Sequence, residues 1–337
     1  MPTLTPYENY LRMMRGEMPE FVPSMGDSGG MFGVQMSYNK GWRPAFGETT
    51  PGEIWYDIFG VPYVSEWNAS NGSLPAPGQF ILEDITKWRD VVKRPEVLNN
   101  IDWEYCASVD LPKLDPQFLV SGGPSIGNGY FQMLVSFMGF DNGLIACMEE
   151  PEEVKALLNF LLELNLELAK NYIHYYKPGM YNFADDIAHD RAPFVSLEIF
   201  TDIFEPMWRA TTAPYKDAGC LASHHNCGKL DEFIPYIWDM GFNAWNPAEP
   251  QNDILAIKAA FPKLAICGAF AGNGFVSWPE TTEEEVRAHV KETLDKYAPG
   301  GGYAFGGYIM GPPEDPVAAV RQGWINDEFE KLRYSYY

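Results

Sequence analysis

Short apolar runs that stop at glycine or polar residues recur along this chain, separated by stretches with helical spacing. Phe21-Val22-Pro23-Ser24-Met25 stops at Gly26-Asp27-Ser28-Gly29-Gly30, and Phe118-Leu119-Val120-Ser121 stops at Gly122-Gly123-Pro124. Met180-Tyr181-Asn182-Phe183-Ala184 stops at Asp185-Asp186. Further runs follow at Ala218–Ser223, Phe242–Trp245, Leu264–Cys267 and Gly302–Phe305, with a weaker one near Gly60–Ser65. Each reads as a buried strand.

Between them, the periodicity predicts helices over Pro6–Arg15, Asp84–Val92, Tyr130–Met148, Phe204–Asp217, Lys229–Met240, Asp253–Phe261 and Asp315–Tyr334. The longest, Pro151–Tyr176, has Leu157, Leu161, Leu164 and Leu168 on one stripe. Its first turn carries Glu152 and Glu153, where the helix dipole favours anions. Another begins at Thr281 with capping-box spacing to Glu284 and runs to about Tyr297. Residues 41–80 are rich in aromatic and turn-forming residues, including Trp42, Trp55 and Trp67, and read as an irregular excursion.

Roughly eight strands alternating with helices, with no linker between them, predict a parallel sheet. At this length they fit one α/β domain over residues 1–337, a (β/α)8 TIM barrel with its chemistry at the C-terminal strand ends. An open doubly wound sheet would alternate similarly, but no Gly-x-Gly-x-x-Gly follows a first strand.

Bulk properties narrow the choice of partner. A chain of 337 residues, 46% hydrophobic, can bury a large core. The formal charge of −22, from 46 acidic and 24 basic residues, excludes a nucleic-acid partner, which needs a basic stripe. No apolar run approaches the ~18 residues of a membrane span. The first twenty residues are punctuated by Glu8, Arg12, Arg15 and Glu17 and contain no signal peptide. Five scattered cysteines make no disulfide framework, so a reducing cytoplasm is the expected location. The sequons at Asn68 and Asn71 then read as loop.

The candidate chemistry centres on His224-His225-Asn226-Cys227-Gly228. His225 and Cys227 form His-x-Cys, and Cys227 and Cys267 are separated by 39 residues. Two thiols and an imidazole at strand ends make a zinc site, because zinc prefers sulfur and nitrogen ligands. His224 is an alternative imidazole. A further ligand or substrate contact is expected to be acidic or neutral. Glu198 interrupts an apolar stretch and is either a buried functional carboxylate or the polar face of a helix start. Asp185 and Asp186 are either a helix cap or site carboxylates. Asp27, Tyr181, Trp245 and Asn246, at or near strand ends, are candidates for substrate contact.

These residues resemble a known family. Asp185-Asp186, Ser196–Pro206, His225-x-Cys227-Gly228 and Gly300-Gly301-Gly302-Tyr303 are similar to the uroporphyrinogen decarboxylase-like superfamily, from about residue 80 to 325. The resemblance implies a (β/α)8 barrel and either decarboxylation or zinc-dependent, cobalamin-linked methyl transfer. The decarboxylases carry arginines near the N-terminus to grip carboxylates, whereas Pro19–Gly33 has none. Enzymes that methylate coenzyme M have a cysteine near the last glycine-rich strand, which Tyr308–Pro313 lacks. The spacing of Cys227 and Cys267 looks like that of the methyltransferase I component of corrinoid-dependent O-demethylases.

That resemblance implies Glu198, Cys227 and Cys267 as zinc ligands, with His225 beside them as a catalytic or supporting group. It also implies Asp185 or Asp186 as the proton donor to the leaving oxygen. The expected reaction takes the methyl group of a small methoxylated aromatic, such as veratrole or guaiacol, to the cob(I)alamin of a separate corrinoid protein. Other cobalamin-linked transfers, from methanol or a methylamine or to a thiol, and a metal-free decarboxylase are the alternatives. A homodimer is compatible with the sequence.

Overall fold

Five parallel strands carry the candidate chemistry, and what precedes them builds the floor and one flank. The computed structural model describes residues 2–29, 36–44, 49–65, 73–309 and 315–337; Gly30, Trp67, Asn68 and Asn71 lie outside them. Helix α1 (Pro6–Met14) starts behind Thr5, whose hydroxyl accepts from the Glu8 N–H while the Glu8 carboxylate accepts from the Thr5 N–H. Strands β1 (Ile54–Tyr56), β2 (Pro62–Ser65) and β3 (Ser73–Pro75) form a separate antiparallel sheet. The run near Gly60–Ser65, expected as a barrel strand, is the middle of this sheet instead. Trp55 stacks on Tyr63 at 4.7 Å and donates to Ser73, which gives the sheet one closed face.

Helices α2 (Trp88–Val91) and α3 (Trp103–Asp110) lead to α4 (Tyr130–Met138) and α5 (Phe140–Glu149). The stretch expected as one helix bends by 111° at Gly139. Gly139 has φ +82°, and a Cβ there would meet the Phe80 ring at 2.5 Å, so only glycine makes this corner. Helix α6 (Pro151–Tyr176) follows with the boundaries that its sequence predicts. No single helix among the described residues is long and apolar enough to cross a membrane.

The second half alternates: β4 (Met180–Ala184), α7 (Leu197–Ile199), α8 (Glu205–Asp217), β5 (Leu221–His225), α9 (Ile234–Asp239), β6 (Ala244–Ala248), α10 (Ile254–Ala260), β7 (Ala265–Gly268), α11 (Glu283–Tyr297), β8 (Tyr303–Phe305) and α12 (Pro316–Leu332). Strands β4 to β8 pair in that order, all parallel. Both edges continue. The Phe305 N–H donates to the Pro23 carbonyl at 2.8 Å and Ser24 bridges to Phe305 in parallel, while the Gly179 N–H donates to the Val120 carbonyl at 2.9 Å. The first and third expected strands thus flank the five-stranded sheet, and the fold is of the (β/α)8-barrel type. Strand β5 begins later than expected, so both histidines lie within it. At α11 the capping box joins Thr282 and Glu285, one residue later than expected, while the Thr281 hydroxyl turns to the Phe275 carbonyl.

Alternation along these strands sorts the side chains. Met180, Ala244, Ala265, Cys267 and Ala304 point inward and pack on Tyr10, Met13 and Met14 of α1, which closes the floor. Tyr181, Phe183, Trp245, Ile266 and Tyr303 have the opposite parity and pack among the surrounding helices.

The C-terminal segment returns to the first strand. Arg333 donates to the Val22 carbonyl at 3.1 Å, ion-pairs with Asp27, and lies over the rings of Phe21 and Phe329 at 4.9 and 4.7 Å. Asp27, expected to contact substrate, is held instead by Arg333 and by the Ser24 N–H. Only 3% of the Arg333 side chain and 12% of Asp27 are exposed, so removing one partner strands a buried charge. Arg333→Ala is expected to cost about 3–5 kcal/mol in urea denaturation, and Asp27→Asn combined with Arg333→Met to recover part of that loss.

Candidate functional site

Parity decides which β5 histidine reaches the site. His224 points outward and is fully buried, with ring centroids 4.6, 5.0 and 5.6 Å from Trp208, Phe242 and Phe183. Burial, then His225, pushes its imidazole down to about 3. It is a core residue. His225 points inward, with Nδ1 2.8 Å from Asn246 Oδ1. Its Nε2 lies 3.8 Å from Cys227 Sγ and 3.9 Å from Asp186 Oδ1.

Asp186 is fixed from two sides. Its Oδ1 accepts from the Cys227 N–H at 2.8 Å and its Oδ2 from Gln132 Nε2 at 3.3 Å. Among the described residues, Asp186, His225 and Cys227 are the one group of His, Cys, Asp or Glu with at least three ligand atoms all within 4.8 Å of one another. Nitrogen, sulfur and oxygen donors at these spacings fit a zinc-like ion, around which tetrahedral ligands lie about 3.5 Å apart. Burial, then Asp186 and Glu249, holds the Cys227 thiol well above its ordinary range. A bound cation would reverse that preference.

Asn226 and Gly228 make this arrangement possible. Asn226 accepts from the Ile187 N–H at 3.3 Å and donates to the Asp185 carbonyl through its side chain. Its own N–H donates to the Asn246 carbonyl at 2.8 Å, and its carbonyl accepts from Trp245 Nε1 at 3.2 Å. One residue, through its side-chain amide and its main chain, therefore straps together the ends of β4, β5 and β6. Its residue type does not announce this role, although a buried polar residue of outward parity between two inward ligand positions is the mark of such a strap. Gly228 has φ +94°, and a Cβ there would sit 2.7 Å from the Ala188 carbonyl carbon. The turn after Cys227 requires glycine, whose N–H donates to Glu249 at 2.8 Å.

The other expected residues lie elsewhere. Cys267 does not join the group: it faces the floor, its sulfur 4.0 Å from the Tyr10 hydroxyl, and burial pushes its thiol up to about 12. Glu198 is exposed in the first turn of α7, so the reading as a helix-start polar face applies. Tyr181 stacks on Tyr215 at 3.8 Å in the outer layer, and Trp245 is fully buried there. Asn246 sits behind His225 with 1% exposure and supports the ring. Asp185 points outward and accepts from the Phe131 and Gln132 N–H groups at the start of α4, at 3.1 and 3.2 Å, and from Trp208 Nε1 at 2.7 Å. It is a helix cap. A Cβ at residue 129 would lie 2.1 Å from Asp185, so Gly129 permits the approach.

A cavity of about 250 Å³ opens at the ends of β6, β7 and β8; none of the three donors lines it, but its wall includes Glu249, which accepts from the Gly228 N–H next to Cys227. Its walls include Pro247, Glu249, Ala269, Phe270 and Tyr308, with Asp190 at the edge and no lysine, arginine or histidine among the described lining residues. The stretches outside the described residues contain none of these cations either.

Similarity to known proteins fits this architecture. A family model described as uroporphyrinogen decarboxylase (URO-D) matches residues 127–322, more than half of the chain. The chain belongs to the URO-D family. The match spans the Asp186, His225 and Cys227 positions of this URO-D family member. Among solved structures, a methyltransferase from Methanosarcina mazei has the same fold, with a TM-score of 0.57 and 14% identity over 98% of this chain and 99% of that one. No curated protein matches the sequence.

Asp185 gives this URO-D family member a pH signature. Burial raises its carboxyl to about 7, against the three donors that lower it. An unfolded aspartate titrates near about 4. The proton that the native chain keeps stabilises it fully below about 4. Stability should then fall by up to about 1.4 kcal/mol per pH unit until about pH 7 and level off. Denaturation across a pH series should show this slope, and Asp185→Asn should remove it.

Proposed function

We propose that this chain is a metal-dependent methyltransferase that takes the methyl group of a small methoxylated aromatic, such as veratrole or guaiacol, and passes it to the cob(I)alamin of a separate corrinoid protein. The observation that carries this reading is the convergence of Asp186, His225 and Cys227, with a small cavity reached through Glu249 that has no cationic side chain among its described lining residues. The methyltransferase fold likeness is in keeping with it.

In this reading Asp186 and His225 join Cys227 as the ligands, in place of Glu198 and Cys267. Zinc held by them would act as a Lewis acid on the ether oxygen, offsetting the charge that develops as the C–O bond breaks. The protein's own groups do the rest. Asn246 orients His225, and the Cys227 N–H and Gln132 orient Asp186. Pro247, Ala269 and Phe270 form an apolar wall for one aromatic ring. Tyr308, on the same cavity, is held above its ordinary range by burial and by Cys227, Glu249 and Asp186. It therefore stays protonated and can donate a hydrogen bond to the departing oxygen without giving up its proton. The open end of the cavity leaves the methyl carbon accessible to the corrinoid partner.

A tetrapyrrole-type decarboxylation fits the site less well. Several substrate carboxylates need arginine or lysine partners, whereas Asp190 and Glu249 are the charged residues that line this cavity. The cation brought closest to the N-terminal stretch, Arg333, is spent on Asp27.

Metal analysis tests the ligand set. Wild type should hold about one zinc per chain. Cys227→Ser and Asp186→Ala should lower that content sharply, while Cys267→Ala and Glu198→Gln leave it unchanged. Incubation with guaiacol or veratrole and reduced corrinoid protein should then produce methylcobalamin absorbance, with Cys227→Ser slower by about 100-fold or more. Absorbance that appears only with methanol or a methylamine would replace the methyl donor proposed here.

A further inference from the structure

We infer that Asn246 and Ser223 form a positioning relay that holds His225 as the Nδ1–H tautomer, turning the lone pair of Nε2 toward Cys227 and Asp186. The consequence for metal binding rests on the function proposed above; the tautomer itself does not.

The relay follows from register and parity. Ala184 pairs with His225, His225 with Asn246, and Ser223 with Ala244. Ser223, His225 and Asn246 all point inward, so the Asn246 side chain lies between two side chains of the neighbouring strand. Its Nδ2 donates to the Ser223 hydroxyl at 2.6 Å and its Oδ1 accepts from His225 Nδ1 at 2.8 Å. Ser223 is fully buried and Asn246 is 1% exposed, so bulk water does not compete for either bond. The main chain at Asn246 is fixed as well, because its carbonyl accepts from the Asn226 N–H at 2.8 Å.

The amide has one alternative. Flipped, it would donate to Nδ1 and accept from Ser223, leaving a proton on Nε2. That proton would take the position on Nε2 that faces Cys227 Sγ at 3.8 Å and Asp186 Oδ1 at 3.9 Å, where a cation would otherwise bind. The observed orientation leaves an acceptor there instead, the form in which an imidazole binds a cation. An amide does this without adding charge. A carboxylate and a thiolate already neutralise a divalent ion, so asparagine orients the ring while leaving the loaded site electrically neutral, which an aspartate at 246 would not.

The test uses the full-length chain, first without metal. With ¹⁵N-histidine labelling, and His225 identified by its loss in His225→Gln, long-range ¹H–¹⁵N correlation reports the tautomer of the neutral ring. Wild type and Asn246→Asp should show Nδ1–H, whereas Asn246→Leu and, more weakly, Ser223→Ala should show a growing share of Nε2–H. Cobalt(II) affinity, measured by competition with a chelating dye, should fall about 10–100-fold in Asn246→Leu. An Nε2–H ring in wild type overturns the inference, as does a folded Asn246→Leu with unchanged tautomer and affinity. Should Asn246→Leu not fold, the milder Ser223→Ala decides the tautomer. Failure of wild type to bind cobalt or zinc would defeat the metal reading alone, since the metal-free spectrum still reports the relay.

Discussion

The pairing of Ala184 with His225, and of His225 with Asn246, is the constraint on which the rest of the site depends. A parallel ladder fixes more than position. Side chains alternate with a period of two, so a slip of one residue would exchange every inward group for its outward neighbour. In the observed register His225, Asn246 and Ser223 meet inside the barrel, while His224, Trp245 and Ala222 fill the layer beneath the helices. Asn226 fastens that register at the point where the strands end.

The same alternation explains what the sequence made legible. The apolar runs located strands β4 to β8, and the leucine stripe gave α6, because burial imposes a period on both. His225 and Cys227 could be singled out because they are chemically distinctive and two residues apart. Register between strands was the missing step. Alternation within a strand is readable, but the cross-strand register that pairs Ala184 with His225 and His225 with Asn246, and so puts Asn246 and Asp186 inside and Trp245, Tyr181 and Asp185 outside, is not written in the residue numbers. Cys267 escaped for a different reason. It lies on the inward face, but hydrogen-bonded rows climb around a tilted barrel, so a residue two strands along is at another height. Its contact with Tyr10 shows that its height is the floor. The Arg333–Asp27 pair could not be read at all, because no local pattern links residues so far apart in sequence.

Charge gives the site its chemical bias. The chain carries −22 overall, and Asp186, Cys227 and Glu249 converge where little compensating positive charge is supplied. Without a cation the thiol is held protonated by burial and by its acidic neighbours. Membership of the URO-D family accounts for the scaffold on which these groups sit. A shared scaffold of this kind leaves the chemistry to the side chains that meet at its strand ends.

The pairing of Arg333 with the Val22 and Asp27 segment has a consequence for biosynthesis. A nascent chain that has already emerged through α11 still exposes an uncompensated carboxylate at residue 27, and the rings of Phe21 and Phe329 have no guanidinium between them. The first strand therefore keeps an unpaired carboxylate until Arg333, 306 residues further along, has folded back onto it.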